Sequence, residues 1–74
     1  MVLVTLIPLV GAKKVVAADL PATVSVRDAI LSYFPEFSNR RIVVFDGGVP
    51  LTLNTRVGDV RSGRIIFWPY TLGG

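Results

Sequence analysis

Residues 25–35 form the one stretch of this chain with helical apolar spacing, and the blocks on either side are short β-branched runs cut by proline and glycine. Val26, Ala29, Ile30 and Phe34 recur at i, i+3 and i+4, with Tyr33 nearby, as one buried helix face requires. Ser25 suits the N-cap. Asp28, three residues on, suits a capping box and the positive end of the helix dipole. Pro35 stops the run, because the residue before a proline is pushed out of the α region. A single amphipathic helix cannot bury its face alone, so in so short a chain it needs a sheet to lie on.

The flanking runs supply that sheet. Residues 2–7 read as a strand punctuated by Pro8 and Gly11, and residues 14–20 as its hairpin partner, broken at Pro21. After the helix come a strand at 41–45, a turn at Asp46-Gly47-Gly48, and a short strand at 49–53 with Pro50 on an edge. Residues 55–60 connect, with Val57 and Val60 sealing the bottom of the core. Ser62-Gly63 turns into a last strand, 64–68, which Pro69 stops. The expected architecture is α+β: a mixed four- to five-stranded sheet with one helix across one face and the first and last strands side by side in its middle. A domain spans residues 1–69 and a flexible tail residues 70–74.

Composition narrows the function. With 74 residues, one small core buries only about 60–65% of the unfolded surface. An apolar fraction of 51% excludes the disordered class and hints that some apolar surface serves a partner. The chain has no Cys and no His, and its carboxylates, Asp19, Asp28, Glu36, Asp46 and Asp59, stand singly. No thiolate nucleophile, histidine base, disulfide or usual metal set is present, so an autonomous enzyme with catalytic or metal-ligating residues is not expected. The net charge of +3 carries no basic run longer than Lys13-Lys14 and no interleaved aromatics, which reads as solubilisation and not as nucleic-acid binding. The apolar start lacks a basic n-region, and no stretch reaches membrane-spanning length. A cytoplasmic protein without a membrane segment is the expectation.

Three segments carry a resemblance. Gly11-Ala12-Lys13-Lys14 leads into Asp19-Leu20-Pro21-Ala22-Thr23-Val24; Tyr33-Phe34-Pro35-Glu36-Phe37 closes the helix; and Ser62-Gly63-Arg64-Ile65-Ile66-Phe67-Trp68-Pro69 runs into Tyr70-Thr71-Leu72-Gly73-Gly74. Together with the strand order they resemble the β-grasp (ubiquitin-like) family, and within it the small subunit of molybdopterin synthase and the archaeal small modifier and sulfur-carrier proteins. The last segment, two aromatics and a proline at a fixed distance before two glycines, is the specific one. The chain departs from that pattern in a shorter first loop, a single proline after the aromatics, and Ser62-Gly63-Arg64 where acidic residues are usual.

The resemblance implies a chemistry for the ending. A carboxylate is a poor electrophile and needs a leaving group. In such proteins an E1-like adenylating enzyme uses ATP to make an acyl-adenylate at the last glycine, here Gly74, and sulfur then displaces AMP to leave a thiocarboxylate. The carrier delivers it to a synthase large subunit that builds a molybdopterin or tungstopterin dithiolene. In the modifier branch the acyl group passes to a lysine of a target protein. No bound cofactor is implied. Gly73 and Gly74 suit a narrow channel because they lack Cβ. The plainer alternative is a frayed terminus, but two glycines close an arbitrary chain only about once in two hundred. Three readings stay open: sulfur carrier, covalent modifier, and a non-catalytic β-grasp interaction module. Lys13 and Lys14 read as solvated hairpin residues, with modification sites the alternative.

The same ending suggests an interface. In the last strand Ile65 and Phe67 alternate with Ile66 and Trp68, so both faces are apolar. The resemblance places Ile65 and Phe67 under the helix. Ile66 and Trp68 then lie on the open face with Leu3, Ile7 and Val43, and the partner surface comprises Leu3, Ile7, Ile66, Trp68, Pro69, Tyr70 and Leu72. A homodimer, or a cover from the loop around Val57, is the alternative use of that face.

Overall fold

A computed structural model describes residues 1–9 and 14–70. Strand β1 (Val2–Pro8) pairs antiparallel with β2 (Val16–Leu20), helix α1 (Val26–Tyr33) crosses over, and β3 (Arg41–Asp46), β4 (Val49–Leu51) and β5 (Arg64–Tyr70) complete one sheet. The strand order is β2-β1-β5-β3-β4, with β1 and β5 parallel at its centre and β3 antiparallel to β5 and β4. Single turns of 3-10 helix follow α1 at Pro35–Phe37 and precede β5 at Val57–Asp59. The fold is the expected α+β arrangement of β-grasp type.

Ser25 caps α1 as its sequence suggests, its Oγ accepting the Asp28 N–H at 3.1 Å. Val26, Ala29, Ile30 and Phe34 point into the core, where they join Val4 and Leu6 of β1, Val44 of β3, and Ile65 and Phe67 of β5. Phe37, from the turn after the helix, is also buried. Its ring meets Phe67 edge-on at 5.6 Å, and Phe34 meets Phe67 at 5.2 Å, geometries that aromatic quadrupoles favour. Val57 and Val60 close the bottom of this core.

Strands β1 and β3 each run one residue beyond the sequence reading, to Pro8 and Asp46, and three other strand bounds differ from it by two residues, for reasons of hydrogen bonding. The second strand starts at Val16, not residue 14, with Leu6–Val16 the last pair of its ladder. Strand β4 ends at Leu51, not residue 53, because the chain turns back there: the Leu53 and Thr55 carbonyls accept the N–H groups of Arg27 and Val26 at 3.1 and 2.8 Å. The segment after β4 thus satisfies the first turn of α1, whose N–H groups have no partner within the helix. Strand β5, in contrast, runs through Pro69 to Tyr70, paired with Ile42 and Arg41.

Proline at position 69 does not stop the strand because its missing donor faces away from β3. The Phe67 carbonyl accepts the Leu9 N–H at 2.9 Å, so Phe67, and by alternation Pro69, direct their backbone groups toward β1. The ladder to β3 is carried by residues 66, 68 and 70 and loses nothing. Pro8 follows the same rule on the β2 side, beyond the last pair with Val16, and Pro50 lies on the edge strand.

Candidate functional site

The register fixes which side chains share the face without the helix. In β5 these are Arg64, Ile66, Trp68 and Tyr70. Thr5 and Ile7 stand beside Arg64 and Ile66 on β1, while Phe45, Val43 and Arg41 stand beside Ile66, Trp68 and Tyr70 on β3. Pro50 extends the Phe45 row onto β4. Ile7, Val43, Phe45, Ile66 and Trp68 form a continuous apolar strip, each partly exposed. Leu9, whose N–H continues the β1–β5 ladder, is 58% exposed at its border.

At the centre of the strip the Trp68 indole lies on the Phe45 ring, with centroids 5.2 Å apart and planes 13° from parallel. The two rings therefore lie face to face, and both remain partly exposed. Phe45 is absent from the sequence-derived surface. Its signal was present in the alternation of Val43 and Phe45 with Ile42 and Val44 along β3.

Not every expected residue joins the strip. Leu3 is on the open face and 62% exposed, but it pairs with Asp19 at the far end of β1. The Thr5–Arg64 row separates it from the strip. Pro69 alternates to the helix side with Phe67 and is not part of this face, while Tyr70 is on it and 45% exposed. Leu72, Gly73, Gly74 and Lys13 lie outside the described residues. The loop around Val57 does not cover the strip, since Val57 is fully buried in the core beneath the helix.

A second polar feature holds the start of β5. The Asp46 carboxylate, at the end of β3, accepts the Arg61 N–H at 2.9 Å, the Ser62 N–H at 3.0 Å and the Ser62 hydroxyl. The Ser62 hydroxyl is the main reason its pKa sits below the ordinary carboxylate value; the two N–H donors and the Arg61 charge act in the same direction, against a partial burial that raises it. Gly63, at φ +71°, completes this turn in a region that L side chains avoid. The clasp positions β5 and hence Trp68. Both of its carboxylate oxygens are engaged as acceptors, which argues against a role as a base.

Among the described residues no group of three or more His, Cys, Asp or Glu is placed to hold a metal ion, and no helix is long and apolar enough to cross a membrane. No protein-family model matches the chain, and a search of curated proteins finds no significant relative.

Proposed function

We propose that this protein is a carrier that docks through its open sheet face and presents Gly74 for activation, most simply as a sulfur carrier for pterin dithiolene synthesis. The observation that supports this reading is the apolar strip around Phe45 and Trp68, centred on β5, the strand that ends four residues before Gly74 in the sequence. A partner that grips the strip thereby holds the strand from which the last four residues of the sequence continue. The Gly74 carboxylate attacks the α-phosphorus of ATP on an adenylating enzyme and pyrophosphate leaves. Sulfide sulfur then attacks the acyl carbon and AMP leaves, which yields –COS⁻. The protein's own part is recognition and delivery, and the synthase large subunit does the later chemistry.

The test is intact mass. Incubated with ATP, sulfide and the adenylating enzyme encoded in the same genome, the protein should gain about 16 Da as oxygen is replaced by sulfur. Deleting Gly74 should abolish the gain while leaving the thermal midpoint unchanged. An unchanged mass with an enzyme shown to be active on ATP would refute the carrier reading. Transfer to lysines of other proteins, seen as Gly74-linked isopeptides, would replace it with the modifier reading.

A further inference from the structure

The apolar strip has a charged frame of one sign. Arg64 stands at one end, in the row with Thr5, and Arg41 at the other, in the row with Tyr70. Both arginines are exposed and belong to the open face. Their rows are six residues apart along β5, or about 20 Å at strand rise. The one carboxylate that the strand register places on this face is Asp19 on the edge strand β2, beside Leu3 and beyond the Thr5–Arg64 row. Asp46, although on β3, belongs to the other side and is engaged by Ser62 and Arg61.

We infer that this face receives a different protein, one with an apolar centre flanked by carboxylates, and not a second copy of this chain. The inference rests on the docking role proposed above and specifies the partner's chemistry. In the aligned mode of sheet packing, two sheets face to face keep their strands within about 30° of each other. In such a dimer Arg64 meets either Arg64 or Arg41 of the other copy, whichever way the strands run, because both ends of the strip are basic. Like charges juxtaposed at an interface disfavour association. A partner with acidic groups at that spacing meets no such penalty, and gains faster encounter through attraction between the two surfaces. Aromatics and arginines on a sheet can also bind single-stranded nucleic acid, but there the ring faces must be free for bases. Here Phe45 and Trp68 stack on each other, and Ile7, Val43 and Ile66 surround them.

The experiment uses the full chain and the adenylating enzyme of the same genome. Affinity is measured by calorimetry at low and high salt for the wild type and for Arg41→Glu, Arg64→Glu, Arg41→Gln and Arg64→Gln, each checked for an unchanged thermal midpoint. Each Glu variant should bind on the order of tenfold more weakly at low salt, each Gln variant less so, and all should lose part of the salt dependence. Sedimentation of the wild type should show a monomer, and a labelled oligothymidine should not bind. Wild-type affinity in the Glu variants, a dimer through this face, or oligonucleotide binding abolished by Trp68→Ala would each overturn the inference. If the charge variants behave as wild type while Gly74 still gains sulfur, the surface assignment fails and the carrier reading stands. If the complex shows the expected charge dependence without any mass gain, the reverse holds. Failure of the wild type to bind the enzyme at all would remove both.

Discussion

Ile65 and Phe67 on one side of β5 are fully buried, whereas Ile66 and Trp68, their neighbours in the same strand, remain partly exposed. The two pairs are chemically alike and share a backbone, so the strand's own sequence does not set the difference. It arises from what lies opposite: α1, Phe34, Phe37 and Val57 on one side, solvent on the other. An apolar residue under a helix stabilises the fold, and the same residue on an open face is available for a partner. A sheet apolar on both faces with one cover therefore keeps one apolar face uncovered after folding.

The contrast is most sharply broken by replacing adjacent residues. Phe67→Ala should cost about 3–5 kcal/mol, since it removes the ring that Phe34 and Phe37 both pack against. A chain of this length has a total stability on the order of 4–11 kcal/mol, so the substitution should remove between about a quarter and all of it. Urea denaturation followed by circular dichroism measures this. A loss no larger than that of Trp68→Ala would mean that the two faces are not energetically distinct.

Gly58→Ala tests whether the segment after β4 belongs to the covered side. A Cβ at position 58 would lie 2.8 Å from the Ala22 Cβ and 3.0 Å from the Ala22 carbonyl oxygen, which accepts the Gly58 N–H. The closest atom is a Cβ fixed to the backbone and the next is backbone itself, so the chain must shift, and a loss of about 1–3 kcal/mol is expected in the same denaturation experiment. Unchanged stability would show that this segment can move off the helix at little cost.

Trp68→Ala should lower the stability of the free protein by about 1–2 kcal/mol, from loss of the stack on Phe45 and partial burial. Binding should suffer more, by about 2–4 kcal/mol, as is usual for an aromatic anchor. In the wild type, Trp68 fluorescence should already lie to the blue of free indole and should shift further when a partner docks. Identical spectra in the free and mixed states would take Trp68 out of the interface.

The smallest effect concerns Asp46. Its pKa in the fold is depressed, so its contribution to stability is complete above the unfolded value near 3.9 and is lost as the pH falls through the folded value. The difference in thermal midpoint between wild type and Asp46→Asn should be constant from about pH 7 to pH 5 and shrink steadily below about pH 4. Because the group is largely solvent-screened, the whole effect should stay below about 1 kcal/mol. A difference that is independent of pH would show that the clasp does not depend on the charge.

Much of the fold was legible from local signals. Ser25, the apolar spacing of α1 and Pro35 located the helix, and β-branched runs located each strand. Those features act over a few residues, and nothing distant overrides them. Pro69 misled for the opposite reason. Whether a proline ends a strand depends on which neighbour its missing donor faces, and that is a property of the sheet. Leu53 and Thr55 misled similarly, since their carbonyls leave the sheet to satisfy α1. The site was half legible: alternation along β5 singled out Ile66 and Trp68, but Phe45 was left out and the Thr5–Arg64 row between Leu3 and the strip was not visible, because both depend on the stagger between strands.

By itself the sequence determined one capped helix, a set of short strands, a chain without thiol or imidazole chemistry, and a last strand apolar on both sides. These follow from side-chain spacing, backbone restriction by proline and glycine, and residue inventory, all of which are local or additive. Only the tertiary structure decided that Phe45 stacks on Trp68, that Arg41 and Arg64 bracket the strip, and that Asp46 holds the turn into β5. Each of those joins residues far apart in the chain, and their meeting is set by strand register, which no single segment specifies.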